Sequence, residues 1–302
     1  MDASSLARPT KGVAAGPDPS WRGLYRVGAF SAVLYVVLIV VPVVLLFVAP
    51  QPPLSGGKAI LEYIALNKPV YVIELVSFVG LSLPAIVVFL ALYVALKHLD
   101  KSYAALGAVV AIASEVIALA YNSSPPSLNG GLVYLSDQYA AATTDAQRAS
   151  LAVAAEGLIA VSNAVNAAGI LTAFGILVLS LVMLKGVFPR GIAYLGIATG
   201  AAGIVSEVLR DMIGPGYFVY GLLLPSWFIA VGWTLYRLAG NPGKAATPMK
   251  QTPDKGGDDE RACCLRFTVR QHATYRPGRR RHVARIRTGT ARLRRSSTSR
   301  RA

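Results

Sequence analysis

A chain of 302 residues with 54% hydrophobic and 15% charged side chains has too little polar surface to cover a soluble globule, so its composition points to the membrane class. Charge is unevenly placed: from Asn241 onward there are 17 Lys and Arg against 4 Asp and Glu, whereas residues 1–240 carry 13 against 11. The net charge of +15 therefore describes a tail, and the two cysteines, adjacent in that tail as Cys263 and Cys264, form neither a disulfide framework nor a C-x-x-C metal spacing.

In chain order, residues 1–21 form a polar N-terminal arm that is too long and too acidic for the basic region of a secretory signal, so the apolar run after it reads as an uncleaved anchor. A helix needs about 20 apolar residues to cross a hydrocarbon core about 30 Å thick. Six segments qualify, near 24–49, 70–96, 103–121, 157–184, 191–213 and 217–238, and they are apolar on all faces, unlike the amphipathic helices of a soluble core. Pro42 and Pro84 are expected to kink the first two spans. Residues 50–69, opening with "PQPPLSGG", read as a loop, while "KHLDKS" and "GVFPRG" read as short turns.

The other long connection, 122–156, is not featureless. Leu132, Leu135 and Tyr139 recur at helical spacing, so "LVYLSDQYAA" reads as a short amphipathic helix lying on the outer surface. "TDAQ" at 144–147 is a capping box, Thr144 with Gln147 three residues on, which starts the fourth helix above the membrane. In the fifth span Gly196 and Gly200 form G-x-x-x-G and Gly203 follows on nearly the same face, a helix-packing surface that admits another backbone.

Lys and Arg near the span ends divide nine to four in favour of the side that holds the termini, the four being Lys58, Lys68, Arg148 and Arg210. That asymmetry puts both termini in the cytoplasm. The expected fold class is all-α: a polytopic membrane helix bundle of six transmembrane helices over 22–240, followed by a disordered Arg-rich tail, 241–302.

Several motifs then carry a resemblance. "ALYVALKHLDKSYAALG" (91–107), the Glu of "AIASEVIAL" (111–119), "YLSDQYAAATTDA" (134–146) and "VFPRGIAYLGIATG" (187–200) occur in the order and spacing of a bacterial membrane family. Over roughly 22–239 the chain resembles the family designated domain of unknown function 4386, most specifically in its L-Y-x-x-L-K and P-R-x-x-x-x-x-G turns. The resemblance implies a bacterial multi-span protein and supplies neither substrate nor activity. Members of that family tend to carry an Arg three residues before the Glu of the third span; here that position is Ile112, so an ion pair within this helix is absent.

The tail leaves three readings open: an arm held to anionic lipid at about 1 kcal/mol per basic residue, a nucleic-acid-binding arm, or a non-native end from a shifted reading frame. Interleaved aromatics and a folded module, which nucleic-acid binding would use, are missing, and this reading is disfavoured.

The chain contains no G-x-x-x-x-G-K-[ST] phosphate loop, no H-E-x-x-H, no G-x-S-x-G and no Rossmann glycine fingerprint. No catalytic, cofactor-binding or metal-binding residues are assigned, no cofactor is expected, and the chain reads as a non-enzyme. What remains is polar groups at depth. Counting about 1.5 Å per residue, Glu115 falls just past the midplane and Asn166 at the same level, with Asn163 one turn above, so these three are expected to face one another inside the bundle. Glu207 and Arg210, in "SEVLRD", fall near the outer edge of the hydrocarbon, where Arg210 reaches down to Glu207 and stands at the mouth of a polar cavity floored by Glu115 and Asn166. Glu74 and Glu156 read as interfacial groups.

Two functions fit these residues. One is a small-solute or proton transporter, permease-like, in the cytoplasmic membrane, with its polar site in the outer half of the bundle. The other is a structural, sensory or partner-binding membrane protein without transport, in which the buried polar groups only join helices. The bilayer is the partner expected in either case; solute and protein partner are unassigned.

Overall fold

The computed structural model describes residues 19–53, 55–124, 128–186, 188–213 and 216–240. The tail 241–302 and most of the N-terminal arm lie outside the described residues, and the readings of order, lipid contact and nucleic-acid contact made on them lie outside with them. Six stretches are long and apolar enough to cross a membrane: Arg22–Leu45, Gly57–Leu96, Lys101–Tyr121, Asp145–Met183, Arg190–Val208 and Tyr217–Gly240. The fold is an all-α, six-span membrane bundle.

The helices are α1 (Arg22–Val48), α2 (Gly57–Gly80), α3 (Ser82–Leu96), α4 (Lys101–Tyr121), α5 (Gly130–Ala141), α6 (Asp145–Asn166), α7 (Gly169–Met183), α8 (Arg190–Val208), α9 (Arg210–Ile213) and α10 (Tyr217–Gly240). Two-residue strands β1 (Ser123–Ser124) and β2 (Leu128–Asn129) pair antiparallel between α4 and α5. Helix α1 packs on α3 and α10, α10 on α8, α8 on α7, α7 on α4, and α4 back on α3. Six helices thus close into a ring, and an even number of crossings brings Arg22 and Gly240 to one side, the near side below.

Local chemistry sets the ends of these helices. Asp100 caps α4 by accepting from the Tyr103 N–H at 3.2 Å. Asn122 stops the same helix in the left-handed conformation, φ 46° and ψ 48°, which Asn tolerates better than most residues. On the near side Lys185 Nζ reaches Asp100 Oδ2 at 2.6 Å and ties the two short turns together.

The near half of the ring is filled. Trp227, Phe228, Phe89, Leu92 and Leu96 are fully buried, and the Tyr35 and Phe228 rings stack at 3.7 Å between centroids. Close backbone approach matters as much as large side chains. A Cβ on Gly175 would stand 2.6 Å from the Gly107 carbonyl oxygen and 2.6 Å from Ala111 Cβ, so α4 and α7 meet there only because the position is glycine. Gly196, Gly200 and Gly203 are buried on α8; Gly200 lies against Ala173 and Leu177 of α7, and Gly203 against Ala173 and Tyr220 of α10. The outside of the ring is apolar and bare, Phe30 69% and Val109 65% exposed, a surface suited to lipid and not to water.

A second apolar core lies on the far side. Ile60, Leu61 and Ile64 of α2 pack with Leu128, with Leu132 of α5, and with Ala155 and Ile159 of α6. Polar bonds join the same pieces: Ser136 Oγ donates to the Leu61 carbonyl at 2.8 Å, Asn129 Nδ2 donates to Ser162 Oγ at 3.1 Å, and Lys68 pairs with Asp137 at 2.7 Å. The first half of α2, the strand pair, α5 and the first half of α6 form this cap.

Three expectations are corrected here. Residues 50–69 are not all loop, because α2 begins at Gly57; the apolar side chains of "AILEYIAL" have a core to enter once α5 and α6 are beside them. The short helix found in the sequence, α5, turns its apolar face to α2 and α6 and not to lipid, since Leu132 is fully buried in the cap. The second and fourth spans are broken, not continuous. The first of these breaks falls at Leu81, between α2 and α3, three residues before Pro84, whose missing N–H leaves the Gly80 carbonyl without its i to i−4 partner, so the irregularity expected from this proline is present. A separate irregularity at Asn67 (φ −125°, ψ 29°) precedes Pro69. The fourth span breaks at Ala167–Ala168 through i to i−3 hydrogen bonds, among them Ala168 N–H to Val165 O at 2.8 Å. The fifth span is likewise interrupted, at Leu209 (φ −104°, ψ 18°), before the short α9. At its N-terminus α6 follows the sequence expectation: Thr144 accepts from the Gln147 N–H at 3.2 Å, and the Gln147 side chain returns to the Thr143 N–H.

Candidate functional site

Two helix breaks, at Leu81 and Ala167–Ala168, lie at one level of the ring and border one cavity, and a third, at Leu209, lies about a turn further out. A broken helix releases carbonyls and N–H groups that lipid cannot satisfy, so polar side chains must gather wherever the breaks are buried. Ser114 Oγ on α4 donates to the Ala168 carbonyl at 2.6 Å. Next to it Glu115 is only 7% exposed. Its carboxylate accepts from Thr172 Oγ1 of α7 at 3.1 Å, and the Ser82 hydroxyl of α3 is its other hydrogen-bond partner. Counting from the near-side starts of α1 and α4, and from the near-side end of α3, Tyr35, Glu115 and Ser82 each stand about 20 Å up the axis, past the middle of the hydrocarbon.

These groups line a cavity of about 170 Å³. Its wall takes residues from every helix of the ring: Tyr35 from α1, Ser82 from α3, Glu115 from α4, Thr172 from α7, Glu207 from α8 and Leu224 from α10. Phe78, Ser123 and Val165 belong to its wall too, and these residues join the ring to the cap. The cavity therefore lies at the seam between the two.

Glu207 and Arg210 form a second polar group on the same wall. Both Nε and one terminal nitrogen of Arg210 donate to Glu207 Oε2. The other carboxylate oxygen accepts from the Tyr217 hydroxyl at 2.7 Å, and that hydroxyl in turn accepts from Arg210 at 3.1 Å. The guanidinium also lies 4.9 Å from the centre of the Tyr217 ring. Glu207 presses against α7, since a Cβ on Gly169 would come within 2.9 Å of its Oε1. The Arg210 side chain is 26% exposed and that of Glu207 4%, so Arg210 is the member of the pair that reaches water.

Of the five residues singled out in the sequence, Glu115, Glu207 and Arg210 thus border one cavity. Asn163 does not. It lies on the exposed side of α6, and its neighbour Ser162 turns inward instead, donating to the Leu158 carbonyl at 2.9 Å and accepting from Asn129. A helix turns about 100° per residue, so a depth count without a rotation angle does not tell one from the other. Asn166 ends α6, but its side chain lies outside the described residues.

Two further carboxylates, read as interfacial, acquire protein surroundings. Glu74 is 4% exposed within α2, because the helix starts earlier than its apolar run and packs this residue against the cap. Glu156 serves as a cap: its Oε2 accepts from the Gly57 N–H at 2.5 Å at the start of α2. Sequence reasoning missed Ser82, Ser114, Ser123, Thr172, Tyr35 and Tyr217. A single hydroxyl in an apolar run is unremarkable by itself; the signal available was a hydroxyl residue close to each place where a span breaks.

No curated protein and no solved structure matches the chain. A family model does match, across residues 30–240, which takes in all six spans but for the first turns of α1. With the six-span bundle in place and the match covering more than two thirds of the sequence, the chain belongs to the family described as Domain of unknown function (DUF4386).

Proposed function

We propose that this protein is a small permease-like carrier of the bacterial cytoplasmic membrane, with both termini in the cytoplasm, which takes a small solute or a proton into a polar site in the outer half of the bundle. The cavity at the seam between ring and cap supports this reading: a buried carboxylate, Glu115, faces it, and every helix of the ring contributes to its wall. Broken helices around a polar site near the midplane are what alternating exposure requires, because a break is where one half of a helix can tilt against the other. The reading gives the chain no catalytic step. It gives the basic tail contact with anionic lipid on the cytoplasmic leaflet.

The first experiment is thermal unfolding of the purified full-length protein against a panel of solutes, followed by flux into proteoliposomes for each hit. A ligand that binds the folded state raises the unfolding temperature. Stabilisation with saturable flux supports the carrier; no stabilisation by any solute over a broad panel removes it. Orientation is tested separately in a background lacking Cys263 and Cys264: cysteines at Lys58 and Gln147 should react with an impermeant thiol reagent in intact cells, and one at Lys101 should not.

A second reading is favoured by the cap. Its own apolar core, distinct from that of the ring, suits a sensory or partner-binding protein whose cap is the receiving part. A solute panel without effect, together with recovery of a defined cap-dependent complex from crosslinked cells, would establish it over transport.

A further inference from the structure

Two carboxylates and one guanidinium border the cavity, and they are not equally balanced. Arg210 is committed to Glu207, and Tyr217 bonds to both, so that group is neutral as a whole. Glu115 has only the hydroxyls of Thr172 and Ser82, and among the described residues no Lys, Arg or His forms an ion pair with it. A carboxyl at that depth needs a positive charge beside it or a proton on it. One more polar group waits on the same wall: Ser123 is 2% exposed, and its hydroxyl has no hydrogen-bond partner among the described residues. Buried hydroxyls are nearly always paired, so this one marks a place for something not of the chain.

On this chemistry we propose that Glu115 is the ligand of a small monovalent cation, an alkali-metal ion or a small primary ammonium, which it binds in exchange for its proton. This rests on the cavity being a solute site and gives that solute its class. The donors decide the charge. Hard divalent cations are held by several carboxylates, whereas here one unpaired carboxylate stands among neutral hydroxyls, and the described residues contain no group of three His, Cys, Asp or Glu placed to hold a metal. Size sets the other limit. About 170 Å³ is room for roughly five waters at about 30 Å³ each, enough for a monovalent ion with some of its hydration or an amine of a few carbons.

The exchange balances without oxidant or reductant. In the empty site the Glu115 O–H is intact; as the cation arrives that bond breaks, the proton passes to water past Arg210, the more exposed member of the pair on the wall, and the cation takes up the charge. The other titratable or charged groups on the wall are Tyr35 from α1, Glu207 from α8 and Arg210, with Tyr217 and Tyr220 of α10 behind them; α2, α3, α6 and α7 contribute none. Tyrosines hold their protons throughout the range near neutrality, and the Glu207 group is already paired. A proton released on cation binding therefore comes from Glu115.

The test uses the full-length protein in detergent, weakly buffered near neutrality with a pH indicator, titrated with sodium, potassium or methylammonium chloride, and with choline chloride as a cation whose methyl groups keep its charge from close approach to the carboxylate. The expected result is release of up to one proton per bound cation, larger when the titration is run at lower pH, and a rise in unfolding temperature with at least one small cation, with neither effect from choline. The alkali and methylammonium arms distinguish the two sources of the charge. In Glu115→Gln, which still unfolds cooperatively, both effects disappear; in Thr172→Val, cation affinity falls several-fold. Proton release that persists in Glu115→Gln, or an equal response to choline, overturns the proposal. If Glu115→Gln does not fold, the wild-type size series and Thr172→Val decide it. Stabilisation by neutral solutes with no response to any cation overturns the cation and leaves the solute site standing, whereas silence from both removes the site as well.

Discussion

In the ring, α4 and α7 meet through Gly107, Ala111 and Gly175, and α8 lays Gly200 against the backbone of α7. In the cap, Ile60, Leu61, Ile64, Leu128 and Leu132 interlock between α2, β2, α5 and α6. Neither device is exclusive, since the ring also buries Trp227, Phe89 and Phe228 and a Cβ on Gly57 would collide with the Ala152 backbone in the cap; the two surroundings account for the difference in emphasis. Lipid tails are as apolar as leucine, so helices gain little by hiding leucine from them and associate through close backbone approach and hydrogen bonds. In water, burial of large apolar side chains is itself the driving force, at roughly 25 cal/mol per Å². The cavity falls where these two kinds of cohesion meet, which leaves the helices there least fully packed from both sides.

The comparison predicts opposite sensitivities. Gly175→Leu should be the most damaging change, costing about 3 kcal/mol or more because backbone and side chain on α4 occupy the space; thermal unfolding in detergent measures it, and a neutral outcome would mean the two helices can part without penalty. Leu132→Ala should cost about 3 kcal/mol, but in the cap alone. Hydrogen exchange should then rise in α5 and the first half of α6 while α4 and α7 remain protected; equal loss in both regions would make ring and cap a single cooperative unit.

Smaller effects test how the cap is fastened. Glu156→Gln weakens the bond to the Gly57 N–H at the start of α2, and Thr144→Ala removes the cap of α6; each should cost about 1 kcal/mol, read as a lowered onset of cap unfolding with the ring transition unmoved. Smallest of all is the near-side pair. Lys185 and the Tyr103 N–H hold the Asp100 carboxyl below its ordinary value of 3.8, so the carboxylate is favoured in the folded chain. Its contribution is present at neutral pH and is lost only as pH falls below about 4, through the lowered folded value. Asp100→Asn should therefore give a slight drop in unfolding temperature at pH 7 that fades in acid and in high salt; a drop that persisted in acid would assign the effect to the helix cap alone.

The site was only partly legible beforehand. Glu115, Glu207 and Arg210 stood out because a charge within an apolar run is conspicuous at any rotation of the helix. Asn163 failed, and Ser162 took its place, because depth follows from counting whereas facing depends on neighbours. The burial of Glu74 was not legible for a related reason: the end of its apolar run is not the end of its helix when the next turns find a core in the cap. The hydroxyls of Ser82, Ser114, Ser123 and Thr172 gave no signal alone, since one Ser or Thr costs little in an apolar helix and acquires meaning only beside a carboxylate or a freed carbonyl.

The sequence by itself determined that the chain crosses a membrane six times, where most crossings begin and end to within a few residues (the second and fourth, read from 70 and 157, start at Gly57 and Asp145), that Thr144 caps α6, and which family the chain resembles. Each of these rests on local or additive properties: transfer of apolar runs, capping chemistry, and short turn motifs. Tertiary structure decided the order of helices around the ring, the breaks at Leu81, Ala167–Ala168 and Leu209, the separate core of the cap, the hydrogen bond of Thr172 to Glu115, and the turning of Asn163 away from the cavity. These depend on which faces meet, and helices that are apolar on every side carry no mark of the face they will bury until their neighbours are in place.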